Sequence, residues 1–128
     1  MTKLCVIETS PWNVTDIIVI EDDASEADFG GRTYVDGDRI GDMVAMANAD
    51  IKMEVDYINM FLRVYQKQVD AGQQPFITAE EASALEAYRD EFSAMAQRET
   101  FPRIPFSTWP IKPVDVSQKD FVTAFLSV

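Results

Sequence analysis

From Asp42 onward the apolar residues of this chain fall into a helical period that persists to Val69. Val44, Ile51, Val55, Ile58, Leu62, Tyr65 and Val69 recur at steps of four and three, after one step of seven bridged by Asn48. That spacing predicts a single long helix, an element that must organise much of a chain of only 128 residues. A second stripe, Met46, Met53, Tyr57, Met60 and Val64, runs beside the first. A helix apolar on two faces is not satisfied by one neighbour: it is buried between two layers or shared with another chain. Methionine serves either case, as core filler or as an adaptable contact surface. Asp42 is the expected N-cap, and Gly72 followed by Pro75 ends the helix.

The residues before and after this helix obey other rules. Upstream, Leu4 to Ile7 and Ile17 to Ile20 are short runs of strand formers, with a turn expected at Ser10-Pro11-Trp12-Asn13. Gly30-Gly31 opens a third candidate strand, Arg32 to Val35, closed by the turn dipeptide Asp36-Gly37. Downstream, Thr78 and Glu81 form a capping box for a second helix with Leu85, Tyr88, Phe92 and Met95 as its stripe. The short connection makes the two helices antiparallel neighbours. Residues 101–113 then carry four prolines interleaved with Phe, Ile and Trp, which predicts an extended strip lying across something apolar. Ser117 and Asp120 suggest a last capping box before Phe121, Val122, Phe125 and Leu126, a short helix that must dock to persist. The fold class is therefore α+β: a small antiparallel β meander over 1–42, a helical hairpin over 43–100, and the strip with its C-terminal helix over 101–128. All three are expected to form one domain with an appendage.

Composition excludes much chemistry. Histidine is absent, which removes the commonest acid–base catalyst and transition-metal ligand, and with it any Ser-His-Asp arrangement. The single Cys5 excludes a Cys/His zinc site and an internal disulfide, and reads as a small core residue in a reducing cytoplasm. The segment Asp36 to Asp42 resembles a calcium loop only at first sight, because Ile40 and Ala47 stand where oxygen ligands are required. The glycines make no dinucleotide or phosphate loop. Two carboxylate pairs one helical turn apart, Asp50/Glu54 and Glu86/Asp90, have the residue types of a glycosidase but read as solvated helix faces. No enzyme activity, cofactor or metal is expected.

The net charge of −11 is uneven: −7 over residues 1–42, −5 over 43–100 and +1 over 101–128. Such a surface repels phosphate and anionic lipid, so neither nucleic acid nor membrane is an expected partner. No stretch approaches the ~20 apolar residues that span a bilayer, and Glu8 interrupts the N-terminal apolar run where a signal peptide would continue. The acids serve solubility or face a basic partner.

Leu85, Tyr88-Arg89, Phe92, Phe101-Pro102, Ile104, Trp109-Pro110 and Pro113 stand in an order that resembles the C-terminal signature of bacteriophage tail fibre assembly chaperones, a helix with a Tyr-Arg pair followed by Trp-Pro-x-x-Pro. Tyr34-Val35-Asp36-Gly37 with Ile40-Gly41 is similar to the short β segment that precedes that family's helical region. The resemblance touches about a third of the chain and stops before residue 114. It implies a factor that assists folding or trimerisation of a tail fibre in the host cytoplasm and is released or stays on the virion tail. Phe106, Trp109, Pro110 and Pro113 are then the expected contact residues, with Met53, Tyr57 and Met60 as a second surface. Trp109 has an alternative role, packed against Tyr88 and Phe92. Two rival functions stay open: an acidic nucleic-acid mimic using the clusters at 21–28 and 36–42, and a virion component that self-associates through the long helix.

Overall fold

A computed structural model describes residues 1–115 and 121–126. The chain is α+β and divides into two compact units, Met1–Asp50 with Met95–Trp109, and Ile51–Ala94 with Pro110–Val128. The division falls inside the long helix rather than at its start.

The first unit is built on a hairpin. Strands β1 (Thr2–Ser10) and β2 (Asn13–Glu21) pair antiparallel, with Cys5 opposite Ile18 and Val6 opposite Ile17. Pro11 and Trp12 form the two-residue turn between Ser10 and Asn13, and Trp12 takes a φ of 68°. Proline first and a positive φ second is the type II arrangement, which ordinarily selects glycine at the second place. Two further strands, β3 (Arg32–Thr33) and β4 (Gly41–Asp42), complete an antiparallel sheet in the order β3-β1-β2-β4. The third strand thus returns to the outer edge of β1 instead of following β2. A 3-10 turn, Glu26–Phe29, makes this return, and Glu26 is tied to the β1 side by an ion pair with Lys3 at 2.8 Å. Gly31 passes so close to β1 that an added Cβ would lie 2.5 Å from the Cys5 sulfur and 2.7 Å from the Val6 carbonyl oxygen.

Successive strand residues face opposite sides, yet Cys5 and Val6 are both fully buried. Cys5 lies under the Glu26–Phe29 turn, its thiol directed at the Glu26 carbonyl, while Val6 joins Val14 and Met43 in a core lined by Trp12, Ile17, Tyr34 and Met46.

Helix α1 (Met43–Asp70) begins where expected, with the Asp42 carboxylate accepting the Ala45 N–H at 3.1 Å. It ends in a Schellman motif: Gly72 N–H donates to Val69 O and Gln73 N–H to Gln68 O, with Gly72 at φ 71°. The buried line along it is Met43, Ala47, Ile51, Ile58, Phe61, Val64 and Gln68. That line departs from the first sequence stripe, because a 3.6-residue period drifts away from strict steps of four and three. Val44 and Val69 are left at the surface, and Phe61 and Val64 turn inward.

In the second unit, α2 (Ala79–Ser93) follows the full Thr78/Glu81 capping box and buries Ala82, Leu85, Tyr88 and Phe92. It runs back along α1: the Tyr88 hydroxyl donates to Glu54 at 3.1 Å and Arg89 donates to Asn59 at 3.0 Å. The buried Gln68 side chain accepts the Phe76 N–H at 2.8 Å and closes the loop between the helices. The C-terminal helix α3 (Phe121–Leu126) docks through Phe121, whose ring stands 4.5 Å from Phe61 and 5.5 Å from Phe76. The capping box expected at Ser117 and Asp120 lies outside the described residues.

The proline strip is less extended than expected: it opens in a turn in which the Arg103 N–H donates to Thr100 O at 2.7 Å, and it carries one 3-10 turn, Phe106–Thr108. The turn forms in the longest proline-free stretch of the strip, where both the Thr108 N–H and its hydroxyl donate to Pro105 O.

Candidate functional site

Two sets of expected contact residues emerge, one in each unit. In the first unit, residues 101–109 are held by a charged knot. Asp38 is buried, accepts two hydrogen bonds from Arg32 at 2.8 and 3.0 Å, one from Arg103 at 3.0 Å and one from the Val35 N–H at 2.8 Å. Burial pushes the Asp38 carboxyl up, but the hydrogen bonds from Arg32, Val35 and Arg103 outweigh it and hold the group below its ordinary value. Arg32 also donates to Glu8, and the Arg103 guanidinium lies 4.9 Å from the centre of the Trp12 ring. Gly37, at φ 102°, lets the strip close in; a Cβ there would stand 2.9 Å from the Ile104 carbonyl carbon.

With its backbone fixed in this way, the strip presents Phe106, 53% exposed, with the half-buried Trp109 ring 5.3 Å away. The Trp109 indole N–H donates to Ile104 O at 3.2 Å, and Arg98 donates to both the hydroxyl and the carbonyl of Thr108. Phe106 and Trp109 are thus an aromatic pair on a braced loop. Within the second unit the rings of Tyr88 and Phe92 also stand close, 5.6 Å apart.

The second unit gathers the other five expected residues. Met53, Tyr57 and Met60 lie at steps of four and three on one face of α1; Met53 is 71% exposed, Tyr57 is exposed and Met60 is half-buried. Residues 110–113 are brought to the same face by Lys112, whose ammonium stands 3.1 Å from Glu54 and 5.2 Å from the centre of the Tyr57 ring. Val114 is buried and anchors the segment, Pro110 is half-buried, Pro113 is exposed, and Ile111 projects at 90% exposure. Glu54 serves as the hub, ion-paired with Lys112 and accepting from the Tyr88 hydroxyl. Burial first, and the neighbouring Glu54 charge second, push the Tyr88 phenol well above its ordinary range, so it remains a donor. The result is an apolar surface of Met53, Tyr57, Ile111 and Pro113 around one neutralised charge pair.

Three of the four carboxylates in the two pairs carry separate partners. Asp50 is bound by Arg39, Glu54 by Lys112, and Asp90 by Arg89. Among the described residues no three acidic or Cys side chains cluster as metal ligands would, and no helix is long and apolar enough to cross a membrane. Of the acidic clusters, Asp38 is consumed by the knot and Glu26 by Lys3 and Thr33, which hold its carboxyl down at about 2.

Sequence reasoning missed Ile111 and Lys112 as members of the surface, and Phe61 as the residue beneath it. The signal for Phe61 was its place three residues from both Ile58 and Val64. No protein-family model, curated protein or solved structure matches this chain.

Proposed function

We propose that this chain is an assembly factor that binds a partner protein through exposed apolar surface, and that the partner is a phage tail fibre whose folding or trimerisation it assists in the host cytoplasm. The observation that carries the reading is the exposure of large apolar side chains on braced backbone: Met53, Ile111 and Phe106 face solvent where ion pairs, prolines and hydrogen bonds fix the chain beneath them. A surface whose backbone is already ordered gives up little conformational entropy on binding. Fibres are slow-assembling β structures with sticky edges, and a small apolar clamp shields such surface until trimers close. The Tyr-Arg and Trp-Pro-x-x-Pro resemblance supports the choice of a fibre as partner.

The acidic-mimic reading draws less support. Mimicry requires carboxylates free along one face, whereas Asp38 and Glu26 of these clusters are engaged internally.

Co-expression with the tail fibre gene of the same genome tests the proposal. Soluble, heat-resistant fibre trimers should accumulate only when this chain is present, and should fall with a Met53→Ser/Ile111→Ser/Phe106→Ser variant. Equal yields with and without the chain would remove the reading.

A further inference from the structure

A groove of about 300 Å³ runs between α1 and α3, lined by Met60, Arg63, Val64, Lys67, Phe125 and Leu126. Its floor and lip are apolar, and α3 continues the apolar surface outward with Val122 at 69% and Leu126 at 77% exposure. Both charged residues of the lining are cations, in a chain with 22 acidic and 11 basic residues.

Their state is unusual within this molecule. Among the described residues, Arg63 and Lys67 are the Lys and Arg side chains that make no ion pair or hydrogen bond; the others are engaged by Glu, Asp or Thr108. The nearest acid along the helix, Asp70, is instead held by Gln66 at 2.8 Å. Arg63 and Lys67 are four residues apart, so they lie side by side on the helix, and like charges in that relation repel. Two repelling cations flanking an open apolar groove complement an anionic, apolar ligand.

We infer that this groove docks a segment of a partner protein in which bulky apolar side chains are flanked by two carboxylates about one helical turn apart. A volume of this size, at the lower end of the range of ligand sites, accommodates the side chains of a short motif. Two cations match two carboxylates, whereas a fatty acid offers one. A second copy of the chain is disfavoured by mutual repulsion at a net charge of −11. The inference does not require the partner to be a fibre, and of the expected contact residues only Met60 lines the groove.

The test uses the full chain and a fluorescein-labelled amphipathic peptide with a leucine-phenylalanine face and two glutamates one turn apart, alongside its glutamine twin. The glutamate peptide should bind saturably, shift the NMR signals of Arg63, Lys67, Phe125 and Leu126, and lose affinity in high salt. The glutamine twin should bind at least about fivefold more weakly, the scale of two exposed ion pairs. An R63E/K67E variant alters only exposed side chains; with an unchanged circular dichroism melt it should lose the glutamate peptide and bind a lysine version instead. Equal binding of the two peptides, or undiminished binding by the variant, overturns the inference. So does laurate shifting these residues where the peptide does not, or a dimer in light scattering that the R63E/K67E change dissolves.

Discussion

Asp38 shows how one side chain fixes a candidate surface at a distance in sequence. Its carboxylate joins Arg32 to Arg103, residues separated by the whole of α1 and α2. Asp38→Asn removes the charge and leaves two partly buried guanidiniums short of an acceptor, which should cost about 2–4 kcal/mol in urea unfolding at neutral pH. The sign of the pH dependence follows from the lowered carboxyl values of Asp38 and Glu26. Their stabilisation is present above the ordinary carboxylate values of 3.8 and 4.5 and is lost as pH falls through the lower folded values, about 2 for Glu26. Acid unfolding followed by tryptophan fluorescence should therefore begin below about pH 4.5, and Asp38→Asn should flatten that slope. Gly37 makes a second prediction at this scale. Gly37→Ala meets both a positive φ and the Ile104 backbone at 2.9 Å and should cost roughly 1–3 kcal/mol. Gly30→Ala, with φ 69° and open space around it, should cost about 1 kcal/mol.

Among the elements, the fate of α3 is tied to Phe61. Phe61 is buried, and its ring meets those of Tyr57, Phe76 and Phe121. Phe61→Ala should cost about 3–5 kcal/mol and release α3, seen as lost protection of the Phe121–Leu126 amides in hydrogen exchange. Thr78→Ala removes one half of the capping box and should cost about 1 kcal/mol, confined to α2. The helices were legible in the sequence because their signals are local: Asp42, Gly72, Thr78 and Glu81 sit at the ends they define. The hairpin turn at Pro11-Trp12 was legible for the same reason. The order of the sheet was not, since the return of β3 to the β1 edge depends on the Lys3–Glu26 pair and on the space at Gly31, contacts between residues far apart in sequence. Part of the candidate surface was equally hidden. Met53 and Tyr57 could be placed on one helix face by spacing, but that Ile111 and Lys112 join them follows from the contacts of Lys112 with Glu54 and the Tyr57 ring.

For the whole molecule, the proposed function makes apolar contact the source of binding and the −11 charge a matter of solubility. The exposed apolar residues occur in both units, on α1 with the 110–113 segment and on the braced strip at Phe106, so each unit carries a candidate surface of its own. Calorimetric titration of the intact chain into the proposed fibre partner, repeated from low to high salt and at several temperatures, tests this most directly. The account predicts a negative heat capacity change of binding and an affinity that falls less than about tenfold as salt is raised. A heat capacity change near zero with an affinity that collapses as salt is added would contradict it.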